Sequence, residues 1–516
     1  MLERFFELSK HGTTLRTELL AGVTTFLTMA YIIFVQPAVL SGAMFGMQTG
    51  LDFGAVMTAT CLAAALATGI MGLYARLPVA QAPGMGENFF FVFSLLPAAS
   101  ALITAQIHRG VLQADQTTPW QIGLGVIFIS GVLFLILSLL GVREKLLEAI
   151  SPTMRHGIAV GIGLFIAFIG FENGSLVIAD PGTLVKLNPH FAAPDLIVFG
   201  FGLLITAGLH ARRVPGAIIW GILAATVLAL AILYFYPRLG QYFERSRLEL
   251  KLEELPEGPE KVALREQIDK WDKQHQQEWA KLQKLREATQ RLLQQGPLAA
   301  PPSLAPTLLK MDLRRALAWA MWPFILIFLF MNLFDTLGTL IGVTEQAGLV
   351  KENRIPRIKQ ALVSDAIGTV AGAAMGTSTV VSFIESASGV AQGGRTGLTA
   401  LVVAVLFLVA LFFSPVVALV GSYPPITAPA LVIIGSMMIR GVTRMDWSNE
   451  AEIVPAFLII LGIPLTYSIA DGLALGFIAY PIIKLLAGQG RDVRWLMYLL
   501  ALVLLAYFIF VRAQAA

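Results

Sequence analysis

Long apolar runs separated by short polar or basic breaks set the pattern of this chain. Runs close to the roughly 20 residues needed to cross a bilayer fall near 19–40, 54–74, 121–140, 154–171, 195–210, 215–236, 316–343, 358–375, 397–420, 425–440, 452–468, 470–487 and 494–512. Two further runs, after Pro83 and after Thr379, are shorter and interrupted by Gly and Ser. The pattern predicts an all-α polytopic membrane protein with two broken helices, each preceded by a short β-like stretch. Irregular backbone at membrane depth is tolerated only where protein or a wet cavity surrounds it. The broken segments are therefore expected to face each other around a polar site. The N-terminus has an amphipathic start (Leu2, Phe5, Phe6, Leu8), and the first apolar run lacks a small-residue cleavage site. It reads as a retained helix and not a signal peptide.

Composition agrees. Apolar residues make up 56% of the 516 positions and charged residues 14%, against roughly 25% charged in soluble domains. The single Cys61 excludes an internal disulfide, and six scattered His give no metal-ligand spacing. The net charge of +4 is small for this length and its basic residues cluster in short breaks, which follows from membrane topology and gives no sign of nucleic acid. Lys10 and Arg16, Arg76, Arg143 with Lys145 and Arg155, Arg212 with Arg213, Lys351 to Lys359, Arg395, and Arg440 with Arg444 fall on one side when the spans are counted. The positive-inside rule makes that side cytoplasmic, with the N-terminus there and residues 237–312 outside.

Residues 237–312 form the one clearly polar stretch. Within it Leu264, Ile268, Trp271, His275, Leu282, Leu285 and Leu292 recur at spacings of three or four, which predicts an amphipathic helical hairpin. A solvated linker with a self-packed helix is the reading preferred over a partner-binding module. The expected divisions are 1–236, the insert 237–312, 313–487, and a C-terminal apolar segment 488–516.

The two large divisions resemble each other. TGIMGLYARLPVAQAPGMGEN (68–88) and AGAAMGTSTVVSFIESASGVAQ (371–392) both run from a small-residue helix through a β-like stretch to a Gly/Ser-rich restart. Aligning Gly72 with Gly376 sets Gln81 opposite Glu385 and Asn88 opposite Gln392. An odd number of spans in each half makes the copies inverted, and inverted repeats with broken helices are the signature of a secondary transporter with its site near the midplane.

Glu385 lies in the second broken segment and Asp335 in NLFDTLGTLIG (332–342). Acids at such depth are costly and are functional-site candidates by default. Asn332 shares a helical face with Asp335, with Thr336 and Thr339 nearby. Gly84, Gly86, Ser388 and Gly389 suit helix starts whose N–H groups meet a polar ligand, or else only allow close helix packing. Phe89, with Phe90 and Phe91, offers a stacking face for a planar ligand, although core packing is the default for at least two of the three. Glu172 and Asn173 read as interfacial, Asp365 as pairing with a neighbouring helix or sitting beside the cavity, and Asp471 as a helix cap. No nucleophile with a base, and no metal cluster, is visible, which argues against an enzyme.

APGMGENFFF, NLFDTLGTLIG, SFIESASGVAQGGRTGLTA and TAPALVIIGSMM resemble the signature stretches of the nucleobase/ascorbate transporter class, in its azaguanine-type branch of adenine, guanine and hypoxanthine permeases. The resemblance covers nearly the whole chain outside 237–312. It implies fourteen spans in two inverted repeats of seven, a core and a gate domain, and proton-coupled uptake by an elevator-like movement. The first repeat would supply core spans 1–4 and gate spans 5–7, and the second core spans 8–11 and gate spans 12–14. Asn88, Asp335 and Glu385 carry over as site residues on the third, eighth and tenth spans. Asn332 stands where the branch usually has a carboxylate, Gln36 where it usually has Asn, and Glu87 where an apolar residue is expected. The segment 494–512 exceeds the fourteen.

The resulting expectation is an inner-membrane symporter for hypoxanthine, guanine or adenine. Glu385, Asp335, Asn88, Asn332, Gly86, Ser388, Gly389 and Phe89 would surround the base, and Glu385 and Asp335 would couple a proton. No cofactor is expected beyond that coupling ion, and the partners are the base and membrane lipid, with a homodimer left open. Alternatives are a permease for uracil, xanthine, urate or a small anion, or a non-transporting membrane sensor or scaffold.

Overall fold

The computed structural model describes residues 2–510 apart from 109, 111–115, 141–150, 181–182, 350–356 and 244–280, within which only 252, 258, 261, 264 and 265 are described. Arg143, Lys145, Lys351 and Arg354, expected as cytoplasmic anchors, lie outside the described residues, as do Ile268, Trp271 and His275 of the expected hairpin.

The first half comprises α1 (Leu15–Met29), α2 (Ile32–Leu40), α3 (Phe53–Ile70), β1 (Gln81–Pro83), α4 (Met85–Phe90), α5 (Leu96–His108), α6 (Pro119–Leu140), α7 (Pro152–Asn173), β2 (Val177–Asp180), β3 (Leu184–Leu187), α8 (Pro194–Ala211) and α9 (Ala217–Phe243). The second comprises α10 (Trp322–Gln346), α11 (Ile358–Met375), β4 (Val380–Ser382), α12 (Ser386–Ala391), α13 (Gly397–Ala410), α14 (Ser414–Gly421), α15 (Pro424–Met438), α16 (Glu450–Thr466), α17 (Ile469–Leu486) and α18 (Trp495–Phe510). Ten helices among the described residues are long and apolar enough to cross a membrane.

Local chemistry starts these helices where the polar breaks predict. Asp52 accepts from the Ala55 N–H at 2.7 Å ahead of α3, Ser151 accepts from Met154 ahead of α7 with Pro152 at its first turn, and Ser468 accepts from Asp471 ahead of α17. Each side chain satisfies an N–H that the first helical turn leaves unpaired.

The halves interleave. Helices α3 and α6 of the first half pack against α13 and α11 of the second, and α1 packs against α12 and α13. A second group forms from α7, α8 and α9 with α15, α16 and α17. Small residues set the close crossings: a side chain on Gly163 would strike the Gly435 carbonyl at 2.9 Å, and one on Gly157 would meet Ala456 at 3.0 Å. Without a hydrophobic drive between helices in lipid, such contact is what holds them together.

Two features differ from the sequence reading, and a third, the packing of α18, concerns a segment the sequence left open. A hairpin of β2 and β3, with Val177 across from Leu187, joins α7 to α8, where the sequence reading expected strands only before the broken helices. Helix α18 packs against α17 and α10, with Met497, Leu500 and Leu504 buried. The end of the polar insert is not a solvated, self-packed linker. Residues 281–295 are helical, Leu282 and Leu285 join the main buried core, and the Lys281 ammonium meets Asp195 of α8 at 2.6 Å. The chain that follows is tied down by main-chain bonds from Ala299 to Phe412 and from Asp312 to Gln121, and by Thr58 donating to the Pro302 carbonyl.

Candidate functional site

The two broken segments meet. Strands β1 and β4 pair antiparallel, with Gln81 across from Ser382, Ala82 from Val381 and Pro83 from Val380. The Gly84 N–H donates to the Thr379 carbonyl and the Phe383 N–H to the Ala80 carbonyl, both at 2.9 Å, so the ladder continues beyond the strands. Helix α11 ends at Gly376, whose φ of 108° is open to glycine and strained for other residues. The Thr-Ser-Thr-Val-Val run after it suits an extended chain because branched side chains disfavour helix. Gly84 is the cap residue of α4 and Glu385 that of α12. These two positions are therefore the structural equivalents, and the Gly72-with-Gly376 alignment, which set Gln81 against Glu385, is out of register by a few residues.

Buried side-chain bonds lock the crossing. Gln36 of α2 donates to Thr377 Oγ1 at 2.9 Å and Ser378 Oγ at 3.0 Å, and accepts from the Asn88 amide. Ser378 in turn donates to the Asn88 carbonyl oxygen. Asn88, expected against substrate, thus has both polar ends engaged by the chain itself. Gln81 donates to Ser382 Oγ at 3.2 Å and accepts from Ser364 at 2.8 Å. Asn332 donates to Thr369 Oγ1 at 3.1 Å, and Thr369 exchanges two bonds with the Val380 backbone.

The other expected residues separate by environment. The Phe89 ring is fully enclosed, stacked on Phe93 at 6.2 Å and edge-on to Phe45 and Phe165. Gly86 faces Ile162 of α7, where an added side chain would come within 3.1 Å. Gly389 faces Ala21 and Thr25 of α1, where a side chain would clash with the Ala21 carbonyl at 2.5 Å. Both glycines therefore serve close helix packing. Ser388 shares a hydrogen bond with Thr28 at 2.9 Å.

Four carboxyls gather around this crossing. Glu385 is half-buried, and its Oε1 accepts from the Tyr31 hydroxyl at 2.8 Å. Asp335 is half-buried on α10, and Glu87 of α4 is fully buried, with neither carboxyl oxygen hydrogen-bonded among the described residues. Asp365 of α11 is also fully buried and accepts from Thr336, whose hydroxyl oxygen accepts from the Ser382 N–H at 3.2 Å. Among the described residues the ion pairs lie elsewhere, at Glu7, Asp180, Asp195, Asp312 and Glu452. The described residues contain no group of His, Cys, Asp and Glu arranged to hold a metal ion.

Sequence reasoning missed two partners. Tyr31 is nearly fully buried in the break between α1 and α2, and a tyrosine at a helix break inside an apolar span was the available signal. Glu18 is fully buried and accepts from the N–H groups of Arg395 and Thr399 and from the Thr399 hydroxyl at 2.6 Å. It anchors the start of α13, and its place near the polar N-terminus concealed it. Glu172 accepts from Tyr467 at 2.7 Å and, with Asn173, lines a cavity of about 1050 Å³. Its other walls include Phe45, Phe53, Met57, Lys281 and Arg291.

Comparison with known proteins places these features. A family model described as "Permease family" (Xan_ur_permease) matches residues 16–475. The chain is 38% identical over 516 residues to the guanine/hypoxanthine permease PbuG of Bacillus subtilis, covering 99% of this chain and 100% of that one. It is 36% identical over 515 residues to the adenine permease AdeP of Escherichia coli, covering 100% of this chain and 97% of the other. Among solved structures, the transmembrane domain of the cyanobacterial bicarbonate transporter BicA is similar with a TM-score of 0.54 at 13% identity, over 90% of this chain and 97% of that one. The shared fold is the seven-plus-seven inverted repeat.

Proposed function

The chain belongs to the permease family whose model spans it, and from that premise we propose that it carries a purine nucleobase together with a proton across the cell membrane. It is a multi-pass membrane transporter and not an enzyme. The observation that carries the reading is the gathering of four carboxyls, without a lysine or arginine partner among the described residues, at the crossing of two broken helices. Buried acids lacking a cation suit reversible protonation, since burial and like-charge neighbours both disfavour the ionised form.

A purine is flat, with N–H donors beside acceptors around its rim. Glu385, held by the Tyr31 hydroxyl on one oxygen, keeps further lone pairs to accept a purine N–H. Asp335, on α10 of the same half, is the second acid we assign to the site, and both are assigned to proton linkage. Asn88 and Asn332 support the site by fixing the strands, and Gly86 and Gly389 by closing the helix contacts. A set of buried polar groups discriminates strongly, because the wrong base leaves them unpaired. The division into two helix groups supports an elevator-like movement of the strand-bearing group past the other. The N-terminus is assigned to the cytoplasmic side and the insert to the outer side, following the basic breaks.

The test is uptake of radiolabelled hypoxanthine, guanine and adenine into cells lacking purine transport, with and without a protonophore, for wild type and Glu385→Gln. Uptake lost on either treatment supports the proposal. A wild type that moves none of the three bases refutes it.

A further inference from the structure

The polar insert has no task in the reading above, yet its described end is bonded to both helix groups. On one side it meets the group of α7, α8 and α15. The Lys281 ammonium lies 2.6 Å from Asp195 Oδ2. That carboxyl is buried and also accepts from Tyr423, the cap residue of α15, at 2.5 Å and from Ser175, just past the end of α7, at 3.2 Å. One carboxyl thus gathers the ends of three helices of that group and the insert. On the other side the insert meets the strand-bearing group. The bonds of Ala299, Pro302 and Asp312 to Phe412, Thr58 and Gln121 are joined by two more to the end of α11, from the Leu309 N–H to the Ala374 carbonyl and from the Thr307 hydroxyl to the Met375 carbonyl, each at 2.7 Å. Between the two attachments residues 281–295 are helical, and at about 1.5 Å per residue such a helix reaches roughly 20 Å. It does not close onto solid protein. Lys284, Glu287 and Arg291 line the cavity of about 1050 Å³, whose other walls include Phe53 of α3 and Glu172 of α7, one from each group.

We propose that residues 281–312 are a strap between the two helix groups, latched by Lys281 on Asp195, and that this latch opens as one group moves past the other in transport. The inference rests on the elevator-like movement proposed above. A helix is a semi-rigid spacer, and its far end is fixed to the strand-bearing group, so a displacement of that group is passed along it to Lys281. An ion pair holds only within about 4 Å, and a larger displacement breaks it. The latch therefore favours the arrangement seen here over the one that follows. Opening leaves neither charge stranded. Asp195 keeps the Tyr423 and Ser175 hydroxyls, and the Lys281 side chain, already 37% exposed, passes into water.

Two measurements on full-length protein in liposomes test this, in a background where the buried Cys61 is replaced by Ala. The first reads the latch itself. Spin labels on Gln283→Cys and Phe191→Cys, exposed positions on the strap and just before α8, report one distance while Lys281 is intact. Lys281→Met should lengthen and broaden that distance, and Lys281→Arg, which keeps the charge, should preserve it. Lys284→Met, which removes a charge from the same helix, should leave it alone. No change in Lys281→Met overturns the latch, and an equal change in Lys284→Met does the same. The second measurement joins Lys281→Cys to Ser175→Cys, whose parent residues bond the same Asp195 oxygen, with a short bifunctional thiol reagent. Cross-linked protein should lose hypoxanthine uptake while still binding hypoxanthine, and the same protein before cross-linking should transport. Uptake that continues at the uncross-linked rate, or binding lost along with uptake, overturns the proposal. Wild type that moves no base defeats the functional reading instead, and the distance between the labels still decides whether Lys281 holds the strap.

Discussion

Replacing Tyr31 by Phe removes a single hydroxyl from the centre of the site. The ring is nearly fully buried and tilted against Phe383, with centroids 6.5 Å apart, so Phe fills the same space. What is lost is the 2.8 Å bond to Glu385 Oε1. A hydrogen bond to an ionised group contributes about 1.5–3 kcal/mol, and each 1.4 kcal/mol is about a tenfold change. Hypoxanthine affinity should therefore fall by roughly tenfold to roughly a hundredfold. The assay is equilibrium binding of radiolabelled hypoxanthine to purified protein, run as a double-mutant cycle with Glu385→Gln. The single losses should not add, because Tyr31 acts through the carboxylate that the second change neutralises. Binding by Tyr31→Phe equal to wild type, alongside a large loss in Glu385→Gln, would refute the positioning of Glu385 by Tyr31. Fully additive losses would do the same.

Three further outcomes follow from the packing. Glu18→Ala would strand the Arg395 and Thr399 N–H groups and the Thr399 hydroxyl, at about 1–3 kcal/mol for each buried group left unpaired; a clear drop in thermal midpoint is expected, and an unchanged midpoint rules out the anchor. Leu285→Ala empties a fully buried contact of the insert, where such changes cost about 2–5 kcal/mol; limited proteolysis near residues 281–295 should quicken, and an unchanged rate contradicts docking. Asp312 lies outside the spans. Burial pushes its carboxyl up, but the Arg315 N–H and guanidinium outweigh this and hold it below the ordinary 3.8. A group depressed on folding stabilises above its unfolded value and loses that contribution as pH falls through the folded one. Asp312→Asn should accordingly lower the thermal midpoint at neutral pH and converge with wild type in strong acid, and a gap that persists there counts against the assignment.

Much of the architecture is legible in the chain because lipid imposes a strict grammar. The broken segments, the strands before them and the intramembrane acids Asp335 and Glu385 all announce themselves as departures from apolar helix. Register does not. The two repeats are rich in interchangeable small residues, so Gly72 aligns with Gly376 as well as any other choice, and only the pairing of Gln81 with Ser382 corrects it. Roles that depend on a distant partner are equally hidden. Nothing near Asn88 in sequence signals that Gln36 and Ser378 occupy its amide, and nothing near Phe89 signals the ring cluster with Phe93 and Phe165. Glu87 stands out as an unexpected acid, but whether it faces water or the interior depends on tertiary packing, which buries it fully.

The most direct test of the account is whether base and proton move together. Protein reconstituted in liposomes with a trapped pH-sensitive dye would be given external hypoxanthine with no imposed gradient. The account predicts that the interior acidifies as labelled hypoxanthine enters, and that Glu385→Gln abolishes both signals. Entry of hypoxanthine without acidification would contradict the proton coupling, and acidification without entry would contradict the purine site.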